Sequence, residues 1–339
     1  TRAFARVLQR VGQRAFVGKV CMDANSPDYY VEASAAHSAA DARAFEDAVQ
    51  QITALTKEAD TRSAAQEYGK AQQFYEAALR VTDAALRSLP RYATDLELFK
   101  AYVLLSQAKM LRGLDRIDAA LTAFTRVVKI AEAHRRAGGA EVADLLWEAQ
   151  LHRCDCVVSL GPPFDEAERV LPLVRDYFVR RHGAAHPNHA IVLSAEGKLA
   201  MAKGDFAGAE RPLNACIDIF RASSLGLTHS LSIVALIRYA QCLQEQGKFD
   251  ACVKILRDLY EQCARSGPDK PDTMFFCHYL ALRLFEQERY VAAQRYAKDA
   301  VDIVTRLPAS AGIDLDELRT NLKTFLLCCV REALADRAT

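Results

Sequence analysis

At 339 residues, with 44 basic against 43 acidic side chains and a net charge of +1, the chain carries no global field that would select nucleic acid or an anionic membrane. No apolar run reaches the roughly 18 residues that a membrane-spanning helix needs, so neither membrane insertion nor a nucleic-acid partner is expected. Half of the residues are apolar, alanine is abundant and β-branched runs are few, a balance that suits all-helical structure.

The first fifty residues stand apart from the rest. Arg2, Arg6, Arg10 and Arg14 lie four apart on one face of an expected helix, residues 15–22 read as a buried strand ending at Asp23, and a loop over 25–31 leads to a helix opening at Ser34 or Ser38. This is a single strand–loop–helix unit. The first 22 residues hold five basic side chains and no acid, which leaves an organelle-targeting segment open as a second reading.

From Ala39 the chain can run as helix through Lys57, and helix pairs follow. The first takes 61–68 and 75–88 and stops at Leu89-Pro90; the second takes 95–112 and 117–136 and ends in Gly138-Gly139. The third takes 141–160, with the single tryptophan Trp147, and 164–181 beyond Gly161-Pro162-Pro163. First helices of the fourth, fifth and sixth pairs open at Ile191, Leu231 and Thr273, and a last helix over 315–335 caps the stack with Leu318, Leu322, Phe325, Leu326 and Cys329 facing inward. Each second helix opens on an aromatic or aliphatic residue followed three positions later by a small one. The pairs are Tyr75/Ala78, Ile117/Ala120, Phe164/Ala167, Phe206/Ala209, Phe249/Cys252 and Tyr290/Ala293, spaced 41 to 47 residues apart. A small residue at a fixed place lets two helix backbones approach.

On these residues the chain resembles the tetratricopeptide repeat (TPR) family over about 52–307. Ala209 and its equivalents match the family's small residue early in the second helix, Gly197 its first-helix glycine, and Phe206, Phe249 and Tyr290 its turn aromatic. Units of about 42 residues, some opening on a His-Pro as at His186-Pro187, are similar to the kinesin light chain type. The resemblance implies an all-α, right-handed superhelical solenoid of about six helix pairs, divided as 1–50 (a fragment), 51–312 (the repeats) and 313–339 (cap and tail). The letters GQRAFVGKVCMD at 12–23, followed by PDYY and an alanine-rich helix, resemble guanine deaminase, a zinc amidohydrolase with a TIM-like barrel. Its chemistry needs a His-x-His pair, further histidines and an aspartate around zinc, and the segment holds only His37. A deaminase-derived protein whose fragment is too short to act is the alternative function.

Candidate chemistry is sparse. His182, His186 and His189 would suit zinc if one helix carried them, but Gly183 and Pro187 break that helix. Cys154-Asp155-Cys156 sends its thiols to different helix faces. The ten cysteines include no CxxC pair and read as reduced, buried thiols, which places the chain in a reducing compartment, the cytoplasm. No phosphate loop, GxSxG or HExxH is present, so no catalytic residue, metal or cofactor is expected.

What remains is binding. In the resembled architecture the first helices face a groove, and counting back from each anchor puts there Tyr102, Lys109 and Arg112; His152, Arg153 and Cys156; Lys198 and Met201; Val234, Arg238 and Gln241; Phe275, His278 and Leu282. The expected function is a non-catalytic scaffold or adaptor holding a partner peptide or helix, free-standing or as a subunit of a larger assembly, and a partner with acids beside leucines or aromatics would suit this lining. Of the clamp that chaperone-tail binders of the family use, only the arginine positions, Arg153 and Arg238, are filled, so tail capture is disfavoured.

Overall fold

The computed structural model describes residues 28–65, 67–136, 139–227, 229–307 and 315–336. Among them there are thirteen α-helices, one short 3-10 helix and no strand. The strand expected over 15–22 lies outside the described residues. The loop expected to reach Val31 ends sooner, because helix α1 (Asp28–Ala64) already runs from residue 28.

The chain divides into two compact units, Thr1–Leu160 and Gly161–Thr339, and the division falls in the turn of the third expected pair. The first unit holds α1, α2 (Tyr68–Ser88), the 3-10 turn Pro90–Tyr92, α3 (Ala93–Gly113), α4 (Ile117–Ala133) and α5 (Gly139–Leu160). Each helix packs on the next, α1 also meets α3, and α3 also meets α5, so the first helices of successive pairs lie side by side. One continuous core runs through the unit from Phe45 to Cys156, and Phe45 stacks on Tyr92 with centroids 4.2 Å apart.

The first pair departs from the expected boundaries. Nothing between Lys57 and Ser63 breaks a helix, and Thr61 Oγ1 returns its proton to the Lys57 carbonyl at 2.8 Å, so α1 continues to Ala64 in place of stopping at 57. The second helix then starts at Tyr68 rather than Tyr75. Tyr75 sits inside it, 2 % exposed, its hydroxyl donating to Asp60 Oδ1 at 2.6 Å.

The second unit holds α6 (Asp165–His182), α7 (Pro187–Ala202), α8 (Phe206–Ala222), α9 (Ser230–Glu245), α10 (Phe249–Ser266), α11 (Pro271–Glu286), α12 (Tyr290–Arg306) and α13 (Leu315–Asp336). Again each packs on its successor, and α7 also meets α9. Both units are therefore stacks of antiparallel helix pairs, whose cores are built between neighbouring pairs.

The small position of every pair is sealed: Ala78, Ala120, Ala167, Ala209 and Ala293 are fully buried and Cys252 is 1 % exposed. Closeness extends to the partner helix at Gly197, where a Cβ would come within 2.5 Å of Leu213 Cγ. The turns inside pairs share a conformation as well. Two residues before the anchor the chain enters the left-handed region in four pairs, at Asp115 (φ 58°), Gly204 (78°), Gly247 (72°) and Glu288 (60°). Helix α13 buries Leu322, Cys329 and Ala333 and half-buries Phe325 and Leu326, close to the inward face expected of the cap.

Candidate functional site

In the first unit the first-helix face is a network of charges bonded to one another. Lys109 on α3 pairs with Glu148 on α5. Arg112 Nη1 donates to His152 Nδ1 at 2.9 Å and to Asp155 Oδ2 at 3.2 Å. His152 is 8 % exposed, with its ring 5.4 Å from Phe124. Burial first, then the Arg112 and Lys109 charges, hold its imidazole well below the ordinary histidine value. Tyr102 is pushed up to about 12 by burial and by Glu141, Glu148 and Asp144. Arg153 Nε donates to Gln150 Oε1 at 3.2 Å on its own helix, and Cys156 is fully buried.

The structure thus brings together three residues picked from the sequence, Lys109, Arg112 and His152, and adds Glu148 and Asp155. The added acids stand 39 and 43 residues beyond the cations they hold, close to one repeat, and that spacing was a usable signal. Beside this network a pocket of about 390 Å³ opens between the ends of α1 and α3, lined by Asp60, Ser63, Tyr75, Ser106, Lys109 and Met110.

The second unit is different in kind. Arg238 Nη1 on α9 reaches the Ser194 hydroxyl of α7 at 2.8 Å and its carbonyl at 3.3 Å. Lys198 and Met201 are half-buried on α7, Met201 against the cluster of Ala209, Leu213 and Cys242. Val234 on α9 and Phe275 on α11 stay 44 % exposed although they occupy the same place in their repeats. Phe275 stacks on Tyr279 at 5.9 Å, the Arg283 guanidinium lies over the other end of this row 4.7 Å from the Tyr279 ring, and Gln241 hydrogen-bonds Tyr279. Arg283 in turn donates to Gln244 Oε1 of α9 at 2.5 Å and pairs with Glu286 at 2.8 Å.

Tyr279 and Arg283 were not singled out from the sequence, though they follow Phe275 at four and eight residues on one helix face. His278 points elsewhere. It lies edge-on to Phe325 of α13 at 5.3 Å, and burial lowers its pKa. The cap helix thus occupies the side of α11 on which His278 lies.

Elsewhere, charge is matched within the unit. A pocket of about 400 Å³ between α6 and α7 is lined by Glu168, Glu196, Asp205 and Lys203 with Leu171 and Leu199. Glu168 is held by Lys203 at 2.5 Å and Glu196 by Arg175 at 3.0 Å, while Asp205 caps α8 through the Gly208 amide at 2.8 Å. The acid four residues after an anchor is held by a turn lysine again in the next pair, where Lys248 meets Glu210 at 2.5 Å.

Among the described residues no three His, Cys, Asp or Glu side chains converge as metal ligands. His182 ends α6 and His186 precedes α7, so the two share no helix, and their rings stack 4.7 Å apart. The nine described cysteines are free thiols. Burial pushes Cys216 and Cys277 up to about 12 and Cys252 and Cys329 up to about 11, which keeps them protonated and unreactive. No described helix is long and apolar enough to cross a membrane.

The architecture is that of an all-α helical repeat protein whose first helices present a polar face in one unit and an aromatic one in the other. Comparison with known proteins gives this class its family likeness: residues 231–306 match the tetratricopeptide repeat family. Among solved structures, TPR-like repeats from Podosopora anserina described as those of a kinesin light chain share 17% identity, with 59% of this chain and 92% of that chain covered and a TM-score of 0.47. Yeast Tom70 shares 13% identity over 98% of this chain and 81% of its own, with a TM-score of 0.38. Among curated proteins, guanine deaminase from Dictyostelium discoideum is 64% identical over 28 residues. That stretch is 8% of this chain, and the chain spans 6% of the deaminase's length.

Proposed function

We propose that the chain is a non-catalytic protein-interaction scaffold that holds a partner segment on the first-helix face of its repeats, with 51–312 as the binding array and 313–339 as its cap. The observation that carries this reading is the open row on α9 and α11. Val234 and Phe275 repeat one exposed apolar position, and Tyr279, stacked on Phe275, is hydrogen-bonded by Gln241 of α9. Side chains pre-set by stacking lose little entropy on binding, and an aromatic anchor flanked by polar groups is the usual seat of interface energy. Arg238, Lys198 and Gln241 supply the polar rim, and in the first unit Lys109, Arg112, His152, Arg153 and Tyr102 supply a more polar surface. A partner segment with leucine or aromatic anchors beside acids fits the row in the second unit; in the first, where Lys109, Arg112 and His152 are bonded across α3 and α5, it would compete with those bonds.

The test is selection of peptides on the full chain followed by binding to two variants. Phe275→Ala and Val234→Asp should each weaken the selected ligands at least about tenfold, because an anchor position carries about 1.4 kcal/mol or more. Ligands that bind both variants as they bind the parent chain remove the reading. Guanine turnover is expected to be absent, and ammonia release from guanine by the purified chain would restore the deaminase alternative.

A further inference from the structure

The His-Pro that opens one repeat has a physical use that binding does not explain. His186 is the N-cap of α7. Its backbone is extended (φ −81°, ψ 142°), Pro187 follows at the first helical position, and its Nδ1 accepts the Asn188 N–H at 3.1 Å. One repeat later and in the same register, His229 is the N-cap of α9 (φ −72°, ψ 143°), and its Nδ1 accepts the Leu231 N–H at 3.3 Å. In both, the imidazole does the work that a serine or aspartate oxygen ordinarily does, satisfying the second amide of the helix.

An imidazole can do so only while that nitrogen carries a lone pair. Protonation turns the acceptor into a donor and places a positive charge at the positive end of the helix dipole, so the cap is lost and its replacement is repulsive. We propose that His186 and His229 form a repeated proton-sensitive clasp: neutral, they pin the first turns of α7 and α9; protonated, each releases the turn it caps.

The surroundings favour this use. Of the titratable groups on the elements around His186, His182 at the end of α6 is the one whose charge bears on it, and the two rings stack 4.7 Å apart. His189, on α7 itself, is turned away and bonds the Ala184 carbonyl through Nδ1 at 2.7 Å. Among the described residues His229 makes its cap bond and no ion pair. Burial first, and the His182 charge second, hold the His186 imidazole below the ordinary value of 6.5. A histidine lowered in the folded state binds its proton more readily when unfolded. Its contribution is therefore complete above 6.5 and is lost as the pH falls through the depressed folded value. The sixth pair offers an internal control: α11 opens on Lys270 and Pro271 with no side-chain cap.

Hydrogen exchange on the full chain, read by mass spectrometry at about pH 7.5 and about pH 5.5 and corrected for the intrinsic rate, tests the clasp in the range where histidine titrates. Protection of the segments at 187–192 and 230–235 should fall about fivefold on acidification, the factor expected for one lost N-cap, while the segment after Lys270 does not change. Asparagine caps as well and does not titrate here, so the doubly substituted His186→Asn/His229→Asn chain should fold as before and lose the pH response. His182→Phe keeps a ring in the stack and removes its charge. It should move the response at 187–192 to higher pH and leave 230–235 where it was. Equal fraying in the double asparagine variant, or protection in the parent chain that ignores pH, overturns the clasp.

Discussion

The first-helix face is used in opposite ways by the two units. Between α3 and α5, Arg112 spends its guanidinium on His152 and Asp155, and Lys109 spends its ammonium on Glu148. Between α9 and α11 the corresponding face keeps Val234 and Phe275 open and lines up Tyr279 beneath Arg283. A charge network that satisfies itself binds its own helices; an aromatic row with one side uncovered is free to bind something else. First-helix residues in a helical repeat therefore cannot be treated as one surface. Their role depends on whether the neighbouring repeat supplies the complementary group.

The largest expected effect separates two adjacent residues of the second unit. Phe276 is fully buried among Ile217, Leu236, Leu259 and Cys263, so Phe276→Ala should cost about 4 kcal/mol in denaturant unfolding followed by circular dichroism. Phe275→Ala, one position earlier and 44 % exposed, should change stability by less than about 0.5 kcal/mol while it weakens partner binding. Similar stability losses for the two would show that Phe275 serves the core and that the open row is structural.

Next comes the arginine contrast. Arg112→Met removes the Arg112 bond to Asp155, 9 % exposed, and the one to His152, and should cost about 2 kcal/mol. Arg238→Met gives up bonds to a neutral serine and should cost about 1 kcal/mol. Trp147, the single tryptophan, lies on α5 one residue before Glu148 and gives the first unit a fluorescence readout for the first loss. Equal costs would mean that the Arg112 network in the first unit is no tighter than the Arg238–Ser194 contact of the second.

Protons sharpen the comparison further. His152 must be neutral to receive Arg112, and burial and the two cations hold its pKa well below 6.5. Its share of stability is complete above that value and disappears as the pH falls through the lowered folded pKa. Asp155 opposes the shift without reversing it, and Glu148 Oε1 stands 4.0 Å from Nε2. Stability of the first unit, followed at Trp147, should therefore decline on acidification, and His152→Gln should flatten the decline. An unchanged slope in that variant would assign the acid sensitivity to other groups.

Much of the stacking was legible because it is written as a period. The aromatic-then-small pair recurs every 41 to 47 residues, and its small member is sealed in all six pairs. The extension of α1 to Ala64 was not legible, since continuing a helix leaves no mark when no breaker is present. The site was half legible. Counting back from an anchor picks out one face of a first helix, and that count selected Lys109, Arg112, His152 and Phe275. The count does not by itself name the group that the next repeat places opposite; the 43-residue step from Arg112 to Asp155 would have, and it was missed. Nor can it place the cap helix against His278, whose edge contact with Phe325 depends on packing between segments 47 residues apart.

The smallest expected effect concerns the turns, where the units behave alike. Asp115 and Glu288 hold φ near 60°, the conformation that Gly204 and Gly247 hold at equivalent places. For an L-residue this costs of the order of 1 kcal/mol, because the Cβ crowds the following carbonyl, and glycine avoids the crowding. Glycine also loses more chain entropy on folding, which takes back part of the gain. Asp115→Gly and Glu288→Gly should each stabilise the chain by about 0.5 kcal/mol, with aspartate, which tolerates the left-handed region better, gaining the less of the two. If the gain at Asp115 exceeded that at Glu288, the turn in the first unit would be strained by its surroundings and not by its side chain, and the two units would differ in their turns as they do in their inner faces.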